Sequence, residues 1–239
     1  MKKYLKKKLV SVLKFLDSNS RFKKQTNNPI DYYLEDISKE CYEFFKNDIK
    51  KSVVFINDED IRKYSIIKAI ENHLFLTNNL FLEFGVYKAE SINYFSNILK
   101  KYNKNIYGFD SFIGLEEEWI TTEYHEVETF SLKGKIPKVN NNVLIIQGKV
   151  QDTFEEFIIK NKLSKISFIH IDLDTYLPTK FVLEKAKQFL IKGSVILFDE
   201  FYGYPGWQNQ EYKAFNEIFN PNEFEYIAFS SRQVAIRIV

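Results

Sequence analysis

One short segment, residues 80–91, constrains the fold of this chain more than any other. It reads LFLEFGVYKAES, an apolar run that ends in Glu83, followed by Gly85 and by a stretch that opens a helix near Ala89. A buried strand joined to a helix by a small-residue turn is typical of sheets that bind nucleotide-like ligands at the strand end. The segment has one glycine and a carboxylate where dinucleotide folds have three glycines, so it suits a cationic ligand better than a pyrophosphate. An ordinary tight turn is the alternative.

Strand and helix patterns alternate along the rest of the chain. Strands are predicted near 80–84, 105–110, 142–147, 166–172 and 193–199, and helices over 89–101, 151–161, 177–190 and 210–219. Two alternating runs, 223–229 and 233–239, predict a terminal hairpin. The pattern predicts an α/β fold with a doubly wound, mostly parallel seven-stranded sheet, a C-terminal antiparallel hairpin and an N-terminal helical extension. Residues 113–141 are too long for an ordinary connection and are a candidate lid.

Chain length and composition indicate a single main domain. A chain of 239 residues with 45% hydrophobic content can bury one substantial core. We expect the domain over residues 61–239, preceded by a basic helix, a linker over 18–30 and a helical extension within residues 1–60. Cys41 is the only cysteine, which excludes an intramolecular disulfide and favours a cytoplasmic location. No apolar run approaches the roughly 20 residues that a membrane span requires, so we expect neither export nor a transmembrane segment.

The basic residues are concentrated at the N-terminus. Residues 1–24 carry nine Lys and Arg against Asp17, so the remainder has a formal net charge of −6 out of the total of +2. The apolar residues of this segment recur at helical spacing: Leu5, Leu9, Val12, Leu13 and Leu16. Such a helix can make peripheral contact with an anionic membrane, at the inner face in a cytoplasmic protein, or can pack on the body or on a second subunit of a homo-oligomer. Nucleic acid is not an expected partner, because the body is acidic.

Acidic residues end several predicted strands, where the ligand crevice of a parallel sheet lies. They are Asp110, Asp172, Asp174, Asp199 and Glu200. Like charges gathered in a partly desolvated crevice repel, and a shared cation relieves the repulsion; oxygen ligands favour magnesium, calcium or manganese. The alternatives are that Asp110 and Asp174 cap helices and that Glu200 is solvated. His170 is expected to support the site from the core rather than to bind a metal.

Five segments in this order carry a family resemblance. They are EFGVYKAES at 83–91, GFDSFIGLE at 108–116, QGKVQDT at 147–153, HIDLDTYLPTK at 170–180 and FDE at 198–200. With them, residues 60–239 resemble class I S-adenosylmethionine-dependent methyltransferases, and within these the macrocin O-methyltransferase-like group that methylates sugar hydroxyls. The resemblance implies a Rossmann-like fold, S-adenosyl-L-methionine as cofactor and Mg²⁺ or another divalent cation.

The resemblance also assigns roles to individual residues. The cofactor would be bound by Glu83, Gly85, Val86, Tyr87, Ser91, Asp110, Ser111, Phe112, Gly148, Val150, Gln151 and Asp172. The metal ligands would be Asp172, Asp199 and Glu200, and the catalytic residues Asp174, as base, and Asp172. Two positions depart from the family pattern: Ala89 stands where glycine is frequent, and Glu200 stands where a second aspartate is frequent. The longer Glu200 is a less secure ligand than Asp172 or Asp199.

The expected activity is transfer of a methyl group to a hydroxyl of a sugar or glycoside, such as a surface-glycan precursor. Tyr176, Tyr204 and Trp207 are candidate substrate-binding residues, the last two in a Gly/Pro-rich loop whose aromatic rings could stack on a sugar. A packed surface loop is the alternative for that segment. For the whole chain, the alternatives are a noncatalytic cofactor-binding scaffold and a nicotinamide-dependent oxidoreductase, which the single-glycine loop disfavours.

Overall fold

The structure, a computed structural model, describes residues 28–162 and 164–239. Its α-helices are α1 (Pro29–Ile49), α2 (Asp58–Asn72), α3 (Glu90–Leu99), α4 (Val150–Lys160), α5 (Tyr176–Ala186) and α6 (Glu211–Ile218). Its strands are β1 (Val53–Val54), β2 (Asn79–Phe84), β3 (Ile106–Asp110), β4 (Trp119–Ile120), β5 (Tyr124–His125), β6 (Val143–Gln147), β7 (Lys165–Ile171), β8 (Leu190–Phe198), β9 (Phe224–Phe229) and β10 (Val234–Ile238). Short 3₁₀ turns cover Lys100–Tyr102, Lys187–Phe189 and Trp207–Asn209.

Within these residues, eight strands form one sheet in the order β1-β9-β10-β8-β7-β2-β3-β6. β6, β3, β2, β7 and β8 run parallel to one another, whereas β10 is antiparallel to both β8 and β9. The seven predicted strands, of which the last two form the terminal hairpin, are confirmed. The eighth strand, β1, pairs with β9 over two residues and was not predicted, because so short a segment shows no alternation.

The sheet is covered on both faces, as a doubly wound fold requires. One apolar cluster includes residues of α4, α5 and α6, and the other includes residues of α2 and α3. The central strand β7 shows the sequence cause: after Lys165, all six residues of ISFIHI are buried. Apart from Ser167 and His170, which make hydrogen bonds inside the protein, this strand is apolar, so its carboxyl end is where polar residues can first reach a ligand.

The N-terminal part of the chain lies largely outside the described residues. The basic segment 1–24 and most of the predicted linker fall there, so their predicted roles are untested. Two compact units are distinguished, residues 1–36 and residues 37–239. In the described part of the first unit, α1 begins at Pro29, where the Asn28 Oδ1 accepts the backbone N–H groups of Ile30 and Asp31 at 2.8 and 3.0 Å. The predicted linker therefore ends earlier than residue 30, at a side-chain cap followed by proline.

The domain boundary predicted between residues 60 and 61 stays a prediction.

Over residues 28–162 and 164–239, no helix combines the length and the apolarity that crossing a bilayer demands.

The turn after β2 brings the chain very close to the end of β7. Gly85 has φ +87°, and a Cβ placed on it would lie 1.7 Å from the carbonyl oxygen of Asp172. Only glycine fits this approach, since any side chain would overlap the neighbouring strand end. Ala89 ends the same turn with φ 65°, which is a left-handed backbone. This conformation costs alanine more free energy than glycine, so alanine is tolerated here in place of the family's glycine but is not favoured.

Replacing Gly85 by alanine should lower the free energy of unfolding by roughly 2–5 kcal/mol, because the left-handed backbone and the overlap with Asp172 both oppose it. Gly134→Ala is the matched control: φ there is +72°, but the nearest atom to an added Cβ is 3.9 Å away. The control should lose only about 1–2 kcal/mol. Urea unfolding of both variants measures the difference. Equal losses would contradict the importance of the close approach at Asp172.

Candidate active site at the carboxyl ends of the strands

A cavity of about 270 Å³ lies where β2, β3, β7 and β8 end. Its walls contain ten of the residues that the sequence predicts for the site: Gly85, Tyr87, Asp110, Ser111, Gly148, Val150, Asp172, Asp174, Asp199 and Glu200. The lid candidate 113–141 contributes Gly114, Leu115, Glu116, Trp119 and Phe130 to the same walls. The position agrees with the rule that open parallel sheets bind ligands beyond their strand ends.

The carboxylate of Asp110 organises the loop after β2. Its Oδ2 accepts the backbone N–H groups of Val86 at 2.8 Å and Tyr87 at 2.7 Å, and its Oδ1 accepts that of Phe112 at 2.6 Å. A carboxylate has about four acceptor positions, so Asp110 keeps capacity for a ligand hydroxyl while it holds two loops. The side chains of Val86 and Phe112 are buried, and their backbone N–H groups donate to Asp110.

Glu83 lies beneath the cavity and does not line it. The carboxylate is fully buried, with the Ser91 hydroxyl donating to its Oε1 at 2.9 Å and His170 Nδ1 lying 3.2 Å from its Oε2. Both predicted cofactor contacts, Glu83 and Ser91, are therefore placed as internal supports of the loop. Gln151, also predicted for the cofactor, instead reaches Glu116 at 3.4 Å across the lid.

Asp172 and Asp199 stand side by side, each one residue beyond its strand. The Asp172 N–H donates to the Phe84 carbonyl at 2.8 Å and the Asp199 N–H donates to the Ile171 carbonyl at 2.9 Å, so both continue the ladder of the sheet. Burial, together with Asp199 and Asp174, raises the pKa of Asp172 well above its ordinary value. The two carboxylates are thus forced together by the register of the parallel strands.

Asp199 is the more readily ionised carboxylate of this pair. Burial alone would raise its pKa, but hydrogen bonding and charge from His170 and Arg62 lower the pKa to about 2. Arg62 donates to Asp199 Oδ1 at 2.7 Å, His170 Nε2 lies 3.3 Å from the same atom, and the Gln233 amide also donates to it. Burial lowers the pKa of His170, yet Asp199 and Glu83 together raise it above its ordinary value.

Asp174 and Glu200 form the other acidic part of the site. Burial, then Glu200 and Asp199, raise the pKa of Asp174 well above its ordinary value. Burial and Asp199 raise the pKa of Glu200 to about 7, against the effect of Arg232, whose Nη1 donates to Glu200 Oε1 at 3.3 Å. Asp174 has φ 61°, a left-handed backbone that is uncommon for residues other than glycine, although aspartate adopts it more often than most.

The donor atoms of this site fit a divalent cation. Ligand atoms of His170, Asp172 and Asp199 all lie within 4.8 Å of one another. Glu200 lines the cavity beside them, and its Oε2 is buried with no partner among the described residues. Crowded carboxylates with raised pKa values and an unpaired oxygen are the features that a bound cation would relieve.

The three predicted substrate residues do not line this cavity. Tyr204 and Trp207 are almost completely buried, at 0% and 2% exposure, so neither has a free face for stacking on a sugar. Trp207 packs against Phe45 and Tyr212 with ring centres 5.5 and 4.8 Å apart. The expectation that these rings stack on a sugar is therefore corrected in favour of the packed-loop alternative. Tyr176 donates to Glu217 at 2.6 Å on the surface between α5 and α6.

Sequence reasoning missed several residues of the site. Arg62, on α2, and Gln233, before β10, touch Asp199 from elements whose register against β8 no sequence pattern reveals. Trp119, in the lid candidate, also lines the cavity; it stacks on His125 with ring centres 4.9 Å apart. A lone tryptophan inside an unusually long connection was the available signal.

Replacing Arg62 by leucine should lower the free energy of unfolding at pH 7 by about 1.5–3 kcal/mol, the range for hydrogen bonds to charged groups. Because the folded pKa of Asp199 is lowered to about 2, its stabilising ionisation is present above the unfolded pKa near 4 and is lost as the pH falls toward 2. The loss caused by Arg62→Leu should therefore shrink between about pH 4 and pH 2. Urea unfolding at several pH values measures it.

Arg237→Leu is the matched control for this prediction. Arg237 pairs with Glu225 at the surface, where both side chains are more than a third exposed, at 37% and 45%. It should lose less than about 1 kcal/mol. A loss at Arg62 that is no larger, or that does not depend on pH, would contradict the role assigned to the Arg62–Asp199 pair.

Comparison with known proteins agrees with this architecture. A family model described as a methyltransferase domain matches residues 82–201, half of the chain. The calicheamicin methyltransferase CalS11 superposes with a TM-score of 0.59 at 20% identity, covering 88% of this chain and 93% of that chain. The O-methyltransferase NovP gives a TM-score of 0.56 at 16% identity, covering 76% of this chain and 79% of that chain. No curated protein sequence matches the chain significantly.

At 20% and 16% identity, the two solved structures show that the fold is shared and no more. The family model, in contrast, matches the amino-acid sequence itself. It spans the segments from Glu83 to Glu200 on which the resemblance was based and confirms that resemblance. It gives no support to the nicotinamide-dependent alternative. The chain belongs to the methyltransferase domain family and is a class I methyltransferase that uses S-adenosylmethionine as its methyl donor.

Proposed function

We propose that this methyltransferase transfers its methyl group to a hydroxyl of a sugar or glycoside, with the assistance of a divalent cation. The observation that carries the proposal is the acidic wall made by Asp172, Asp174, Asp199 and Glu200, next to the loop of Gly85 in one cavity. A neutral hydroxyl is a poor nucleophile, and carboxylates that bind a cation and accept a proton supply what it lacks. The fold neighbours add support, since NovP is described as an O-methyltransferase and CalS11 as a TDP-rhamnose 3'-O-methyltransferase.

The walls near β2 and β3 are the proposed cofactor site. S-adenosylmethionine supplies an electrophilic methyl group on a sulfonium. Asp110 would accept from the ribose, and Gly148 and Val150 line the wall assigned to the adenine. Gly85 and Tyr87 present the loop to the rest of the cofactor. Their contribution is orientation and exclusion of water, which reaches roughly 7–11 kcal/mol in favourable cases.

The cation would be held by Asp172, Asp199 and Glu200. When bound, a divalent cation supplies Lewis acidity that lowers the pKa of an alcohol and fixes its position. His170 lies close enough to contribute a nitrogen ligand or to support Asp199. Arg62 keeps Asp199 ionised and fixes the orientation of its Oδ1, which leaves the carboxylate ready for a ligand on its other oxygen.

Asp174 is the proposed general base. It lines the cavity together with Asp172 and Glu200, and its pKa is raised by burial and by both Glu200 and Asp199. A carboxylate with a raised pKa is a better proton acceptor near neutral pH than an ordinary aspartate. It would take the proton of the acceptor hydroxyl while the neighbouring carboxylates remain with the cation.

The acceptor would enter below the lid. Trp119 and Phe130 of the lid line the same cavity as the acids, so they replace the buried Tyr204 and Trp207 as the aromatic residues proposed to contact the sugar. A nucleotide-linked deoxysugar is the first class of acceptor to examine, and a surface-glycan precursor is the second. A cytoplasmic location, contact of the basic N-terminal segment with the inner face of a membrane, and homo-oligomer formation stay predictions.

Asp174→Asn should keep S-adenosylhomocysteine binding within about twofold and lower kcat by roughly 10²–10⁴, the range that general base catalysis supplies. The asparagine keeps the shape of the side chain but accepts no proton. Calorimetry gives the affinity and steady-state kinetics give kcat. Asp152→Asn, on the first turn of α4, is the control and should leave kcat unchanged. A variant at position 174 with normal turnover would remove Asp174 as the base.

Methyl transfer itself tests the proposal. The protein is incubated with methyl-¹³C S-adenosylmethionine and TDP-rhamnose, with Mg²⁺ or with a chelator, and the sugar is examined by NMR. We expect an O-methyl signal that requires the cation. Equal transfer with the chelator would remove the cation from the proposal. S-adenosylhomocysteine binding without transfer to TDP-rhamnose or to a panel of other nucleotide sugars and glycosides would favour the scaffold alternative.

A further inference from the structure

Glu211 is a buried carboxylate that the proposed reaction does not use. It is the first residue of α6, at the end of the loop after β8, and its exposure is 0%. Residues at the start of a helix are usually solvated, and a carboxylate away from water is costly unless it is well bonded. Its burial therefore indicates that this side chain acts on something inside the protein.

The contacts of Glu211 lead to Glu200. Glu211 Oε2 accepts the backbone N–H of Glu200 at 3.3 Å. From the same loop, the Tyr204 hydroxyl donates to the backbone carbonyl of Glu200 at 3.2 Å. The peptide groups on both sides of the Glu200 Cα are thus held by side chains of one loop. Arg232, which donates to Glu200 Oε1, fixes one end of the side chain as well.

The remaining oxygens of the two glutamates are unpaired. Glu211 Oε1 and Glu200 Oε2 are both buried and have no hydrogen-bond partner among the described residues. After burial itself, Glu200 and then Asp174 have the largest effect in raising the pKa of Glu211. Glu211 thus lies close to the acidic wall while it is itself buried.

Aromatic packing keeps Glu211 in this position. Tyr212, the next residue, packs against Trp207 and Phe201 with ring centres 4.8 and 5.4 Å apart. Because these rings are packed against the core, α6 cannot turn its first residue toward solvent without disrupting them. The segment from Tyr204 to Glu211 therefore has a role other than sugar stacking, because it carries the two side chains that hold the Glu200 backbone.

We propose that Glu211 is a positioning residue that fixes Glu200 for cation binding. The inference rests on the proposed function, in which Glu200 is a cation ligand. A glutamate has one more rotatable bond than an aspartate, so it needs more support to present an oxygen in one place. Glu211 and Tyr204 supply that support through the backbone, and Arg232 supplies it through the carboxylate.

The test is the Mg²⁺ affinity of the full chain saturated with S-adenosylhomocysteine, measured by calorimetry. Glu211→Gln keeps an oxygen acceptor for the Glu200 N–H, whereas Glu211→Leu fills a similar volume without one. We expect Glu211→Leu to weaken Mg²⁺ binding about tenfold or more, the usual effect of losing a residue that supports a metal ligand, and Glu211→Gln to stay within about threefold of wild type. S-adenosylhomocysteine affinity and Tm should change little.

Glu184→Ala, an exposed glutamate on α5, is the control and should bind Mg²⁺ as wild type does. If Glu211→Leu fails to fold, Tyr204→Phe, which removes the donor to the Glu200 carbonyl, should weaken Mg²⁺ binding instead. Wild-type Mg²⁺ affinity in Glu211→Leu overturns the inference and leaves the proposed function intact. If both Glu211 variants bind Mg²⁺ equally weakly and also have a lower Tm, Glu211 has a merely structural role, and this result also overturns the inference.

The proposed function fails in a different way. A wild-type protein that binds S-adenosylhomocysteine but no Mg²⁺ removes cation assistance, and with it the ligand role of Glu200 on which the inference rests. A folded wild-type protein that binds neither overturns both.

Discussion

Two carboxylates forced together by the register of parallel strands are the constraint on which the rest of the site depends. Asp172 and Asp199 each follow their strand by one residue, and the sheet leaves them no freedom to separate. The surrounding residues affect the two carboxylates differently. Arg62 and His170 keep Asp199 ionised, whereas burial and the neighbouring acids raise the pKa of Asp172. A site built in this way gathers several carboxylates whose mutual repulsion a divalent cation would relieve, which is the electrostatic condition for recruiting one.

The cofactor loop after β2 and the acidic end of β7 are in direct backbone contact at the cavity. Gly85 brings the cofactor loop against the Asp172 carbonyl, and Asp110 holds that loop through the amides of Val86 and Tyr87. The loop assigned to the sulfonium cofactor therefore touches the strand end that would hold the acceptor. Methyl transfer needs the two reactants in line and at contact distance, and in the proposed site this shared backbone would hold them so.

Patterns with a local physical cause could be predicted from the sequence, and arrangements between distant elements could not. The strand before Glu83, the turn at Gly85 and the acid at Asp172 follow from apolar runs and strand-end positions, and the structure places them as expected. Arg62 was missed because helix position against a sheet is decided by packing. Trp207 was misassigned because a Gly/Pro-rich aromatic loop reads alike whether its rings are packed or exposed, and here they are packed.

An anomalous difference map from crystals grown with S-adenosylhomocysteine and Mn²⁺ tests the central claim most directly. The account predicts one strong manganese peak coordinated by Asp172 and Asp199, with Glu200 held beside it and the cofactor above Gly85. The predicted position of the manganese ion is within reach of the hydroxyl that Asp174 would deprotonate. A cofactor bound in the cavity with no manganese at these carboxylates, under conditions that saturate exposed sites, would contradict the account.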